Sequence, residues 1–312
     1  MRRLLAWMGR HGTALSAASI FIGLATPDLA ALVRPWLASL VTVMLALAFL
    51  MIDPAAVAAT LRRPRPILAG ALVLAVATPL AFRLAGPIFD PLLGPGLTLA
   101  LFIFAFGPPT LSSPAFAALM GLDGAQALTL CLALTLASPL VVPAVAGLIG
   151  VDFPLDAARL ALRLAAIVLP AAAAAAIVIV LAGRDRILRN REAVTGTLIV
   201  PLAIFAVGSM DGITAKVAAE PLHMAGILLF GIALAVGGIL ATSLVLWPAG
   251  RSSALALGWC GGNRNLGLLV GAMSGSLPDD TWSYFAMAQF PIYALPLVAG
   301  RVYRVLLRRA PR

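Results

Sequence analysis

The sequence is short of the groups that a water-exposed surface needs. Only 11% of its 312 residues are charged, whereas 62% are hydrophobic and the mean hydropathy is +1.05. No soluble domain hides that much apolar surface in one core, so lipid must be the solvent for most of it. Cysteine is nearly absent: Cys131 and Cys260 both lie in or beside apolar segments, which excludes a disulfide framework. Histidine is as scarce, with His11 in the N-terminal segment and His223 near a span end, and the twelve acidic residues fall in loops or at span ends. An intramembrane enzyme needs a nucleophile with a base, or a carboxylate pair, at membrane depth. Ser209, in Gly208-Ser209-Met210-Asp211, is the one tempting nucleophile and lacks a positioned base, so the chain is not expected to be an enzyme.

What is present is arginine and long apolar runs. The net charge of +10 does not suggest nucleic acid, because the arginines sit at the ends of apolar segments and form no basic face with interleaved aromatics. They read instead as topology signals. Windows of about 19 residues place ten spans near 13–32, 35–52, 66–84, 94–119, 124–149, 157–183, 193–210, 222–247, 252–275 and 281–300. The start, Met1-Arg2-Arg3, has the shape of a secretory signal, but the apolar stretch continues through Ile20 to Leu32 with no soluble domain behind it, so it is expected to begin the first span.

With ten spans, one face receives Arg2, Arg3, Arg10, Arg62, Arg63, Arg65, Arg184, Arg186, Arg189, Arg191, Arg251, Arg301, Arg304, Arg308, Arg309 and Arg312. The other receives Arg34, Arg83, Arg159, Arg163 and Lys216. Sixteen against five puts both termini in the cytoplasm by the positive-inside rule. The Ala- and Arg-rich composition points to a bacterium and its inner, cytoplasmic membrane.

The chain also repeats itself weakly. Leu47-Ala48-Phe49-Leu50 leads to Met51-Ile52-Asp53, and Ile204-Phe205-Ala206-Val207 leads to Ser209-Met210-Asp211. Some fifty residues on, each half reaches an apolar span broken in its middle, at Pro108-Pro109 and at Gly261-Gly262. Halves of five spans lie in opposite orientations, and paired interrupted spans mark inverted-repeat transporters. The repeats are 13–149 and 157–300, within a single membrane domain covering 1–312.

Phe106-Gly107-Pro108-Pro109-Thr110-Leu111-Ser112-Ser113-Pro114 cannot be regular helix, since each proline removes a donor and clashes with the preceding turn. Unwound backbone at membrane depth must face protein or water. Thr110, Ser112 and Ser113 add hydroxyls there, an oxygen-rich setting for a small cation or polar substrate. In the second break, Cys260-Gly261-Gly262-Asn263-Arg264-Asn265-Leu266-Gly267, three polar side chains interrupt an apolar span. An Arg near a helix centre costs roughly 2.5–3.5 kcal/mol even on a mild scale, so Asn263, Arg264 and Asn265 join the candidate substrate-binding set. The glycines there match the start of a nucleotide-binding pattern, but no strand precedes them.

At these two breaks the chain resembles the bile acid:sodium symporter family over nearly its whole length. That family's first motif reads roughly Pro-Gly-Gly-Thr-Ala-Ser-Asn, and Gly107-Pro108-Pro109-Thr110-Leu111-Ser112-Ser113 stands at it, with Ser113 replacing the Asn. Ser138-Pro139-Leu140 fits the fifth span. The second motif reads roughly Glu-x-Gly-x-Gln-Asn; here Cys260 replaces the Glu, Gly262 and Asn265 match, and Arg264 replaces the Gln. The resemblance implies an all-α integral membrane protein whose ten helices form two inverted five-helix repeats. It further implies a panel of helices 1, 2, 6 and 7, a core of helices 3–5 and 8–10, and broken helices 4 and 9 that cross.

It also implies Na⁺ as the coupling ion, but the chemistry here argues against it. Na⁺ takes hard oxygen ligands, whereas a thiol is soft and a guanidinium offers only donors and a repelling charge. The sodium site is therefore expected to be degenerate, with Ser112, Ser113, Cys131 and Cys260 at its candidate positions. Arg264 either binds the substrate or holds the crossing together in place of a cation. The expected function is secondary active or facilitative transport of a small amphipathic organic anion, with no other cofactor. A one-residue gap after Gly121 sets Cys131 near a sodium-ligand hydroxyl of the family. Arsenite exporters, distant relatives of this fold, depend on a membrane thiol, so a metalloid exporter using Cys131 and Cys260 is the alternative. A channel-like or structural protein is favoured if Arg264 faces lipid headgroups.

Overall fold

The computed structural model describes residues 4–5, 7–8, 11–275 and 277–308; Met1, Arg2, Arg3, Arg10, Arg309 and Arg312 of the topology argument lie outside them. The described chain is all-helical, with one isolated bridge and no named strand. Seven of its helices are long and apolar enough to cross a membrane. The architecture is that of an all-α, membrane-embedded protein.

Local chemistry sets the helix boundaries. Three of the scarce carboxylates cap helix starts: Asp53 accepts from the Ala55 and Ala56 amides, Asp123 from Ala125 and Gln126, and Asp156 from Arg159. Each satisfies donors that the first helical turn leaves free. The Gly124–Ile149 helix ends on Gly150 at φ 68°, a left-handed stop that glycine adopts without strain.

Seven long helices differ from ten expected spans in three places. The Gly12–Ala25 helix is short and bends at Thr26 into Pro27–Val33. The segment from Arg65 to Phe106 runs as helix through 84–94, where the sequence suggests a connection, and its one non-helical residue is Gly94 at φ 69°. Pro87, Pro91 and Pro95 lie inside that run. The 252–275 span is divided into Arg251–Gly262 and Leu266–Ala272, each too short to cross a bilayer alone.

Helices Gly12–Ala25, Leu37–Leu50, Ala157–Ala182 and Arg191–Gly208 pack together. The Pro221–Val245 helix packs closely against Arg251–Gly262, which also touches Gly124–Ile149. The first of these contacts is made through glycines, as small-residue packing in lipid requires. A Cβ on Gly238 would stand 2.6 Å from the Gly261 carbonyl oxygen.

Candidate functional site

The two breaks meet. Pro108 and Pro109 have no N–H, so the first backbone donor after Gly107 is that of Thr110, and it bonds the Asn263 carbonyl at 2.8 Å. The Asn265 amide answers to the Pro108 carbonyl at 2.7 Å, and together these form an antiparallel bridge between Pro109 and Arg264. Backbone freed by each interruption is thus satisfied by the other.

Arg264 stands at this crossing and is 2% exposed, so it does not reach a headgroup layer. Its Nε donates to the Gly261 carbonyl at 3.0 Å and Nη1 to those of Gly107 at 3.0 Å and Leu74 at 3.5 Å. Gly107 ends one half-helix and Gly261 lies in the last turn of another, so the cation sits at two carbonyl ends, the side of a helix dipole that favours positive charge. Its charge also lies 5.7 Å from the centre of the Phe104 ring. No ion pair among the described residues includes it, and Nη2 is buried without a hydrogen-bond partner.

The other expected residues divide into two sets. Thr110, Ser112 and Asn265 line a cavity of about 630 Å³, to which Arg264 also contributes. The Thr110 hydroxyl links those of Ser113, at 2.9 Å, and Ser112, at 3.1 Å. Ser113 and Asn263 are buried away from the cavity; Asn263 Nδ2 donates to the Trp259 carbonyl at 3.0 Å. The Asn265 side chain caps the Leu266–Ala272 helix by accepting from the Leu268 amide. Cys131 and Cys260 are fully buried with sulfurs 3.9 Å apart, and neither lines the cavity. Ser209 is buried and bonds the Ala206 carbonyl, while His223 faces Asp280 at 3.0 Å.

The cavity wall is mainly apolar, with Val41, Met44, Leu45, Phe116, Leu202 and Phe205. Asp53, Arg191, Gln289 and Tyr293 add polar groups that the sequence did not single out for binding. The sequence marks Asp53 only by the repeat and Arg191 only as a topology charge. Gln289, a polar residue inside the apolar 281–300 span, carries a sequence signal, and in the structure it is buried.

At the other end of the Leu37–Leu50 helix from Asp53, a polar cluster joins Arg34, Asp211 and Lys216 to the Asp279–Met287 helix. Arg34 pairs with Asp211 at 2.7 Å and lies 4.2 Å above the Trp282 ring, whose Nε1 donates to the Asp211 carbonyl at 2.9 Å. Lys216 reaches Ser283 Oγ at 3.2 Å and Asp279 at 3.7 Å. No protein-family model and no curated protein matches the chain.

Proposed function

We propose that the chain is a ten-span, inverted-repeat carrier that moves an amphipathic organic anion across the bacterial cytoplasmic membrane without sodium coupling. The observation that carries this is the hydrogen-bonded crossing of two broken helices around Arg264, at the wall of a cavity of about 630 Å³. Pockets of this size suit drug-sized ligands. Counting Gly12–Ala25, the Arg251–Ala272 pair and a division of 65–106 at Gly94 as crossings raises seven to ten. Panel and core then correspond to the two packing groups. In this reading Arg264, held by carbonyls, serves the crossing as a tethered cation and leaves that region positive.

The repeat supplies a way of alternating. Aligning Asp53 with Asp211 sets Arg191 against Arg34 to within one residue. On one face that pair is joined at 2.7 Å; on the other, both partners line the cavity and no ion pair joins them among the described residues. The arginine-rich, cytoplasmic face is then open and the face of Arg34 latched. Release of the Asp211 latch as Asp53 and Arg191 pair gives alternating access. Asp211→Asn should raise labelling of Ser283→Cys, a position now 1% exposed, by a membrane-impermeant thiol reagent added outside. Unchanged labelling would remove the latch.

Arg191 is the exposed cation at the cavity and the group placed to meet a substrate carboxylate or sulfonate. Arg191→Gln should weaken uptake of labelled taurocholate about tenfold in KM, or ~1.4 kcal/mol, and leave an uncharged analogue unaffected. The metalloid alternative has the closeness of Cys131 and Cys260 in its favour, but the sulfurs lie outside the cavity, and the organic anion is the better-supported substrate.

A further inference from the structure

Cys131 and Cys260 have no role in the carrier reading. They belong to different helices, Gly124–Ile149 and Arg251–Gly262, and both are fully buried. Their sulfurs are 3.9 Å apart, and the Cys131 thiol also donates to the Thr110 carbonyl at 3.4 Å. Met120, Leu130, Leu257 and Trp259 belong to the same buried cluster, so the pair is shielded from water. No group of three or more His, Cys, Asp or Glu suited to a metal occurs among the described residues, which argues against a four-coordinate zinc site. Arg264 is within electrostatic reach of both thiols, has no ion pair among the described residues, and its Nη2 is buried without a hydrogen-bond partner.

We propose that Cys131 and Cys260 form a binding site for a soft monovalent cation of the copper(I) class. Thiolates are the ligands that select such ions, and two of them suffice where zinc needs four. Distance favours an ion over a disulfide. An S–S bond is about 2.05 Å, so bridging directly would require the two helices to close much of the 3.9 Å gap. Two metal–thiolate bonds of about 2.3 Å, the zinc value, span about 4.6 Å when the ion is linearly coordinated, so the sulfurs need to part by only a fraction of an ångström from 3.9 Å.

Charge points the same way. Binding forms two metal–sulfur bonds, releases the two thiol protons and changes no oxidation state. The bis-thiolate complex carries one negative charge, which Arg264 balances; a divalent ion would give a neutral complex and leave Arg264 unbalanced. Thr110, whose carbonyl meets the Cys131 thiol, also lines the cavity and marks the path of entry. The ion would staple the Gly124–Ile149 helix to the half-helix that leads into the second break. This site stands or falls independently of the organic anion.

The test is an anaerobic titration of the purified full-length chain with copper(I) held by bicinchoninate. The expected result is withdrawal of one equivalent per chain, with a thiolate-to-copper absorption band and a rise in Tm. Cys131→Ser and Cys260→Ser should each weaken uptake at least about 100-fold, the upper end of what loss of an outer-shell partner costs. Arg264→Gln should weaken it about tenfold at unchanged stoichiometry. The wild-type stoichiometry is decisive whether or not the variants fold. No uptake by the reduced wild-type chain overturns the site, as does equal uptake by the Cys131→Ser/Cys260→Ser double variant. A chain that closes an internal disulfide in air and takes no copper when reduced overturns it as well.

Discussion

Replacing Arg264 by leucine should cut transport by about 100-fold or more while moving thermal stability by only a few degrees. The guanidinium gives hydrogen bonds to the Gly107 and Gly261 carbonyls and a longer one to Leu74. Bonds from a charged group contribute about 1.5–3 kcal/mol each, and a buried carbonyl left without a partner costs about 1–3 kcal/mol. Against that, placing an arginine at membrane depth itself costs roughly 2.5–3.5 kcal/mol, a penalty that leucine relieves. Two such bonds, about 3–6 kcal/mol together, exceed that relief by at most a few kcal/mol, so the loss of stability is modest. Function loses more, because leucine supplies nothing to hold the two carbonyl ends in register. A loss of about 100-fold corresponds to ~2.7 kcal/mol of barrier, within what two such bonds contribute. Arg264→Lys keeps the charge but not the planar fork that meets two carbonyls, so it should retain a small fraction of activity. Uptake rates and Tm measured on the same preparations check both halves; parallel collapse of stability and transport would reduce Arg264 to a folding residue.

Gly262→Val should yield little or no folded protein. A Cβ at Gly262 would run into the Ala235 carbonyl oxygen, with Ile239 Cγ1 2.5 Å away. The helix has nowhere to retreat, since Gly258 faces Ser243 and Gly261 faces Thr242 along the same seam. Overpacking commonly costs about 1–3 kcal/mol and more where rigid backbone is the obstacle. Gly226→Ala, in the Pro221–Val245 helix, has nothing within 4 Å of its new Cβ and serves as the neutral control. Monodisperse yield and Tm separate the cases: wild-type stability in Gly262→Val would mean that the two helices do not pack through this seam.

Much of the crossing was legible because its residues violate the chemistry of a membrane helix. Pro108 and Pro109 cannot donate, and Asn263, Arg264 and Asn265 are too polar to face lipid, so both breaks declare themselves. That they cross is implied only by the family resemblance; the bonds that join them, Thr110 to Asn263 and Asn265 to Pro108, run between backbones more than 150 residues apart and are invisible to local pattern. Nor does periodicity say which way a side chain turns. Arg264 could be read equally toward a substrate or toward the helix ends, and the guanidinium lies on the carbonyls of Gly107 and Gly261. The stretch between the 66–84 and 94–119 spans reads as a connection, yet helix continues through Pro87 and Pro91 up to Gly94. Asp53 and Arg191 come from helix ends far apart in sequence, so only the fold brings them to one cavity.

The most direct measurement is uptake of tritiated taurocholate into proteoliposomes containing the full chain, with an inward sodium gradient and again with choline replacing sodium. The expected result is saturable uptake above protein-free liposomes, equal in the two ions and lost in Arg264→Leu. Uptake that requires the sodium gradient, or that never exceeds protein-free liposomes, would contradict a carrier whose crossing is held by its own arginine.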